Sequence, residues 1–315
     1  MQLTDLAAAI KKLGRPMHGF SLLIYGPPKV GKTRLAATIA KVPQINRVFL
    51  LDTENGHETL LTMFREGVLS ETEAAKINVI SIQDTAQRPL ASETVLKLLT
   101  VPKDQVVCEE HGKISCSDPA CTSTEGGKII RKGTTFNITK LDHNDVVIID
   151  SASAFSTSLL NFHCATEDSR FGGPLRKAGW DEYGLQGRDL TSALLIVQAC
   201  KTNFIVITHE LVIDETVDLI DKETGRIKSI TIENKFPLIG TKQYSINSGK
   251  FFSHIIYMQI NNRRHEGGSS TTYKNKVLTG SRGGWQIEKD KNFSLANIFQ
   301  QLYKVEDDKE TATET

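Results

Sequence analysis

Eight residues, Gly26-Pro27-Pro28-Lys29-Val30-Gly31-Lys32-Thr33, constrain this chain more than any other stretch. They follow a short apolar run, Phe20 to Tyr25, and lead into a segment of helical character, Lys32 to Lys41, that ends before Pro43. Glycine, four residues, then Gly-Lys-Thr between a strand and a helix is the pattern of a phosphate-binding P-loop. Gly26 and Gly31 let the backbone curl so that consecutive amides point inward, and the helix that follows aims its positive end at the phosphates. Lys32 is placed to neutralise β- and γ-oxygens. Thr33 offers a hydroxyl to Mg²⁺, a cation that keeps several waters and needs few protein ligands. The expected nucleotide-binding segment is Gly26, Pro27, Pro28, Lys29, Val30, Gly31, Lys32, Thr33 and Arg34.

The rest of the first two thirds repeats the same rhythm. Arg47 to Leu51 reads as a second strand and His57 to Arg65 as a second helix. Ile77 to Ile82 and Val146 to Ile149 are further β-branched runs, and Asp189 to Cys200 is a helix feeding a strand from Phe204 to Thr208. Alternating strands and helices imply a mostly parallel sheet covered on both faces. A P-loop needs an acid at the end of a buried strand as its second Mg²⁺ contact, and Val146-Val147-Ile148-Ile149-Asp150 supplies it in Asp150. Hydrolysis needs one more acid to activate water. Glu54, just past the second strand, is either that acid or a helix N-terminal acid beside the macrodipole.

Two stretches break the rhythm. Pro102 to Asn144 is polar, rich in Gly, Lys and Cys and too long for an ordinary connection, so it is expected to be an inserted module or a functional loop. Ser156 to Gly187 reads as a mobile loop, with Arg170, Arg176 and Lys177 available to phosphates. Phe171, Trp180 and Tyr183 in the same stretch would stack on bases, or Trp180 and Tyr183 would be core residues. After Thr208 the pattern turns to β-type alternation with turns at Thr224-Gly225, Asn247-Ser248-Gly249 and Gly267-Gly268, which predicts antiparallel strands. Leu3 to Leu13 reads as an amphipathic helix that Gly14 stops, and Phe293 to Tyr303 as a closing helix. The division expected is an N-terminal helix over 1–19, an ATPase domain over 20–303 with the insertion at 102–144, and a disordered acidic tail over 304–315.

Composition narrows the class further. With 38 Lys+Arg against 37 Asp+Glu the formal charge is +1, so a nucleic acid would have to be held by a local patch and not by the field of the whole protein. No apolar run approaches the roughly 18 to 20 residues that span a bilayer. Met1 to Lys12 carries Asp5 where a signal peptide would be apolar, so a cytoplasmic protein is expected. Of 5 cysteines, three belong to Cys108-Glu109-Glu110-His111-Gly112-Lys113-Ile114-Ser115-Cys116-Ser117-Asp118-Pro119-Ala120-Cys121. Cys108, His111, Cys116 and Cys121 would close a tetrahedral Zn²⁺ site, with Gly112 and Pro119 giving the tight turns, or else remain free thiols in a loop. The spacing equals that of zinc knuckles, although knuckles place their His third. Cys164 and Cys200 read as small buried hydrophobes.

With these residues in order, the chain resembles the RecA-type P-loop ATPase core, and more narrowly the phage-encoded RecA-like single-strand annealing and ATP-binding proteins. Asp52-Thr53-Glu54 is similar to the family's Asp-x-Glu, whose Glu is the catalytic base, and Ile149-Asp150-Ser151 to its second acidic motif. His209, ending Ile205-Val206-Ile207-Thr208-His209, stands where the family keeps a polar γ-phosphate sensor; RecA itself has Gln there. Tyr273-Lys274-Asn275-Lys276-Val277 resembles a late strand whose lysines reach a neighbouring subunit's ATP, the plainer reading being an exposed strand face. The resemblance implies ATP and Mg²⁺ as cofactors, a filament or ring of like subunits, and single-stranded DNA on two loops, here Ser156 to Gly187 and Glu210 to Gly249. The function implied is ATP-dependent, DNA-stimulated annealing or strand exchange. The competing expectation is a nucleotide-dependent switch that docks on a single-strand-binding or other replication protein and binds no DNA of its own. In neither case is a membrane expected.

Overall fold

In the computed structural model the residues described are 19–85, 88–125, 128–167, 173–220, 227–263, 272–281 and 295–296. The expected N-terminal helix, the acidic tail, Arg170, Phe171, the turns at Thr224-Gly225 and Gly267-Gly268 and most of the Phe293 to Tyr303 helix lie outside them.

Strands buried on both faces read as continuous apolar runs, and four such runs form the centre of the sheet. β1 (Ser21–Tyr25) leads through the P-loop into α1 (Lys32–Ala37), which a 3₁₀ turn at Thr38–Lys41 extends. Then come β2 (Arg47–Asp52), α2 (His57–Arg65), α3 (Glu71–Ala74), β3 (Ile77–Ser81) and α4 (Leu90–Thr100). The insertion contributes β4 (Gln105–Val107), β5 (Thr122–Glu125), β6 (Lys128–Arg131) and β7 (Thr134–Phe136). The core resumes with β8 (Asp145–Asp150), α5 (Ala152–Cys164), α6 (Trp180–Ala199) and β9 (Asn203–Thr208). A hairpin of β10 (Glu210–Ile220) and β11 (Ile227–Pro237), α7 (Lys242–Asn247), β12 (His254–Arg263) and β13 (Thr272–Ser281) follow.

The main sheet has the order β13-β12-β1-β9-β8-β2-β3. Six of its strands are parallel and β13 closes one edge antiparallel to β12. Period-two alternation sorts the side chains to two faces. Leu23, Phe49, Leu51, Val147, Ile149, Phe204 and Val206 pack under α4, α5 and α6, and Leu22, Ile24, Val48, Leu50, Val146, Ile148, Ile205 and Ile207 pack under α1. Each such side chain contributes about 1.5–3 kcal/mol when fully buried. The insertion joins the first face through Phe136, whose ring meets Phe49 edge-on at 5.2 Å. All six parallel strands point their carboxyl ends the same way, and in open α/β sheets that edge is where ligands bind.

Two expectations are corrected and one helix is added. Ser156 to Gly187 is mostly helix and not a loop: α5 runs on to Cys164 and α6 begins at Trp180. Polar residues of both helices are buried against partners, Gln186 donating to the Ser156 carbonyl at 2.7 Å and the Ser158 hydroxyl to Asp84 at 2.8 Å, and the described basic residues expected to meet phosphates, Arg176 and Lys177, lie in the connection between the helices. Of its aromatics, neither Trp180 (93% exposed) nor Tyr183 (40%) is a core residue. Asn247-Ser248-Gly249 is no strand turn; it ends α7 and enters a 3₁₀ turn, Ser248–Phe251. Leu90–Thr100, for which the sequence suggested no element, is a helix that buries Leu90, Val95, Leu98 and Leu99. Among the described residues no helix is long and apolar enough to cross a membrane.

His254, at the start of β12, stacks on Phe20 at a centroid distance of 4.3 Å, and its Nε2 is buried without a partner among the described residues. Burial pulls its pKa down to about 4. The folded value lies below the unfolded one of about 6.5, so the neutral ring's contribution is complete above about pH 6.5 and is lost as pH falls through about 4. Because the ring is only partly buried, the loss between those limits is expected to be about 1–2 kcal/mol. Urea unfolding of wild type and His254→Phe across this range should show the steeper pH slope in wild type; equal slopes would refute it.

Candidate functional site

The P-loop turns away from β1 at Gly26, and the side chains singled out in the sequence gather where β1, β9, β8 and β2 end side by side. Lys32, 7% exposed, donates through Nζ to the carbonyls of Gly26 (3.0 Å) and Pro27 (2.8 Å). Burial lowers its pKa against the opposing pull of Asp150, Glu54 and Glu210. Thr33, one residue on, donates from Oγ1 to Asp150 Oδ2 at 2.6 Å. Arg34 points elsewhere, to Glu66 at 2.7 Å on the far end of α2, so only its backbone belongs to the loop.

Three carboxylates share this strand edge, each held differently. Asp52, fully buried, accepts from the amides of Glu54 (3.2 Å), Gly56 (2.7 Å) and His57 (3.1 Å), and its Oδ2 lies 2.5 Å from His57 Nδ1. It therefore caps α2, the service that Glu54 would render as a helix N-terminal acid. Glu54 faces the other way, its oxygens 3.1 and 3.2 Å from His209 Nε2. Burial raises the Glu54 pKa, but His209, Ser151 and Lys32 outweigh it and the net shift is downward. Asp150 is pushed up to about 6, chiefly by burial and further by the Asp52 and Glu54 charges, against Thr33 and Lys32.

Several residues that build this corner were not singled out from the sequence. Gly56 packs so closely that a Cβ there would stand 2.5 Å from Asp150 Oδ2 and 3.4 Å from the Thr33 methyl. Its only local signal is the Asn55-Gly56 turn pair. The Thr53 hydroxyl ties β2 to β8, donating to the Ser151 carbonyl and accepting from the Ser151 amide at 2.9 Å. Ser153 receives the His209 amide at 2.9 Å and donates to the Leu238 carbonyl at 2.8 Å, which fixes the start of the β10–β11 hairpin beside the site. The Tyr257 hydroxyl donates to Glu210 at 2.9 Å and anchors the same hairpin to β12.

Other expected site residues lie apart. Lys274 and Lys276 are on β13, the edge strand, in register with Asn261 and Gln259. Arg176 is engaged within its own chain, at 2.7 Å from Glu182 and 3.0 Å from the His163 carbonyl. Lys177 follows it in the connection that precedes α6. Cys108, His111, Cys116 and Cys121 converge so that one donor atom from each lies within 4.8 Å of all the others, with the three cysteines buried. Cys164 is buried, and Cys200 is half-buried against the core. A groove of about 990 Å³ opens beside this cluster and not over the P-loop, lined by Gln83, Asp84, Arg88, Glu109 and Phe162 among others.

Residues 18–239 match a family model described as AAA domain. Among solved structures the chain is similar to an ATPase from the type III secretion system of pathogenic bacteria, at 10% identity and TM-score 0.37, over 77% of this chain and 52% of that one. It thus spans about half the length of that ATPase. It is also similar to the RadB recombinase, at 16% identity and TM-score 0.36, over 82% of this chain and 88% of that one. No curated protein matches it significantly.

Gly56→Ala should displace the Asp150 carboxylate while leaving the P-loop and core intact. The expected result is Mg²⁺-dependent nucleotide affinity weakened about tenfold in calorimetry, with an unchanged circular dichroism spectrum. Wild-type affinity in the variant would show that the close approach has no role.

Proposed function

The chain belongs to the AAA domain family and carries a P-loop ATPase domain, and from that premise we propose that it is an ATP hydrolase that binds single-stranded DNA in its ATP-bound state and promotes annealing or strand exchange. The row of Lys32, Thr33, Asp150, Glu54 and His209 along one strand edge carries the hydrolytic part of this reading. Thr33 and Asp150 present two hard oxygens 2.6 Å apart at the first turn of α1, a donor set suited to Mg²⁺. That ion supplies charge neutralisation between β- and γ-phosphates when bound. The P-loop amides and Lys32 hold the phosphates, Glu54 takes a proton from the attacking water, and His209, already bonded to Glu54, touches the γ-phosphate. The water oxygen bonds to the γ-phosphorus as the bond to the ADP oxygen breaks, so charge builds on oxygens that Lys32 faces.

The DNA part is supported by the approach to α6. Trp180, 93% exposed, stands at the helix start with Lys177 and Tyr183 nearby in sequence, a stacking surface next to a cation. The hairpin, part of the second DNA segment that the RecA resemblance implies, is the weaker candidate, because its described strands carry Glu210, Asp214, Glu215, Asp218 and Glu233 against Lys228 and Lys235. That acid excess also favours the second reading, a nucleotide switch docking on a replication protein. The proposal includes an oligomer with ATP between subunits and Lys274 or Lys276 reaching the neighbour's phosphates. It includes a phage origin, by motif resemblance, and action in the host cytoplasm. A structural Zn²⁺ on Cys108, His111, Cys116 and Cys121 completes the cofactor set: three sulfurs and one imidazole nitrogen gathered within 4.8 Å match a tetrahedral site.

Glu54→Gln should reduce ATP turnover at least about 100-fold while ATP still binds. In wild type, single-stranded DNA should stimulate hydrolysis, with the stimulation shrinking as salt rises and absent in Lys32→Ala. Unchanged turnover in Glu54→Gln would remove its role as base, and hydrolysis indifferent to DNA would move the reading to the protein-docking switch.

A further inference from the structure

The Cys/His cluster does not hang from the fold on a free stalk. Its first turn, Cys108 to Lys113, is closed by the Cys108 amide on the Lys113 carbonyl (3.1 Å) and the Gly112 amide on the Cys108 carbonyl (3.0 Å). Gly112 there has φ +60 and lies flat against the end of β3, where a Cβ would meet the Ser81 carbonyl at 2.3 Å and Ile82 Cα at 3.0 Å. The buried Thr94 hydroxyl donates to the Gly112 carbonyl at 3.1 Å and pins the turn from the α4 side. The metal turn is thus wedged between β3 and α4.

The chain leaving β3 is held from its other side by the Glu54 turn. The Ile82 amide donates to the Asp52 carbonyl at 2.7 Å, and Gln83 Nε2 donates to Asn55 Oδ1, next to Glu54. Residues 81–83 therefore have the metal turn on one side and the residues that aim Glu54 on the other. The P-loop leaves β1, four places away from β3 in the strand order, and makes no part of this contact.

We propose that the metal centre positions Glu54: with the ion bound, the Cys108–Lys113 turn holds residues 81–83 in place, and these hold the Asp52–Asn55 turn in its catalytic geometry. The inference rests on the zinc and ATPase readings above. The metal acts through packing and leaves the phosphate-holding residues alone, so its signature is a split between turnover and affinity. A misplacement of the order of 1 Å is enough to reduce turnover about 100-fold.

The test uses the full-length protein. Elemental analysis should find about one zinc per chain. Removing it with a thiol-directed mercurial and a chelator, and then releasing the mercurial from the cysteines with excess thiol, should lower kcat at least about tenfold with the ATP Kd within about twofold, and added Zn²⁺ should restore kcat. Gly112→Ala keeps all four ligands but cannot lie on Ser81, so it should retain its zinc and show the same split; it also decides the matter if the metal-free protein does not stay folded. Zinc present with kcat unchanged by both its removal and Gly112→Ala would overturn this inference and leave the zinc reading standing. An equal loss of affinity and turnover would make the centre a general fold support and overturn it too. Protein purified without metal would remove the zinc reading, and loaded wild type without turnover would remove the ATPase reading, each taking the inference with it.

Discussion

The gathering of Asp52, Glu54 and Asp150 at one strand edge, with the buried Lys32 drawn on by Asp150 and Glu54, is the constraint on which the rest of this structure turns. Carboxylates taken out of water must be bonded, paired or protonated, because an unpaired charge in a low-dielectric interior costs several kcal/mol. The three meet that demand in three ways. Asp52 spends its oxygens on the amides that open α2 and on His57. Glu54 keeps 33% of its side chain exposed to water; desolvation of the rest raises its pKa, and His209 draws it down by more. Asp150 has only the Thr33 hydroxyl and the distant Lys32 charge to set against burial, and its pKa rises to about 6. A carboxyl left short of positive charge beside a P-loop is one whose charge a divalent cation would restore.

Sheet topology explains why these groups can be so close. Asp52 pairs in register with Asp150 across β2 and β8, and Asp150 with Ile207 across β8 and β9. His209 follows β9 by a single residue, so the sensor-like histidine is delivered to the same edge as both acids by nothing more than strand length. Thr53 then locks the two acidic strands together through Ser151. Interstrand register sets the spacing of Asp52, Asp150 and the end of β9, residues mounted on packed strands being held more firmly than residues mounted on loops, and the turn after β2 then sets where Glu54 points.

What could be read in advance divides along the same line. The P-loop and Asp150 were legible because each is a local pattern, a glycine-spaced turn and an apolar run ending in an acid, whose meaning is set by its immediate neighbours. Cys108, His111, Cys116 and Cys121 were legible because ligand spacing is itself local, and they do converge. The helical parts of Ser156 to Gly187 were hidden because basic and aromatic residues interleave in that stretch, and the serines of α5 add little helix propensity of their own. Tertiary bonds override that weakness: Ser153 to Leu238, Ser156 to the Gly240 amide, Ser158 to Asp84. Gly184 and Gly187, weak helix formers, both lie within α6 all the same. Gly56 against Asp150 was invisible for a stronger reason, since nothing near residue 56 names residue 150.

The position of the insertion follows from the sheet as well. Strands inside a parallel sheet have neighbours on both sides and helices on both faces, so an excursion there would tear pairings that the nucleotide site needs. β3 is an edge, and α4 after it reaches the first face of the core without crossing the P-loop. The segment between α4 and β8 can therefore lengthen without disturbing β1, β9 or β8. It pays for its own order locally, with Phe136 against Phe49, short paired strands and the converging cysteines. Its close backbone contact with the sheet, Gly112 on Ser81, falls on the strand whose exit touches the Glu54 turn. An insertion tolerated because it sits at the edge is, by the same geometry, adjacent to the Glu54 turn, a part of the site that lies outside the P-loop.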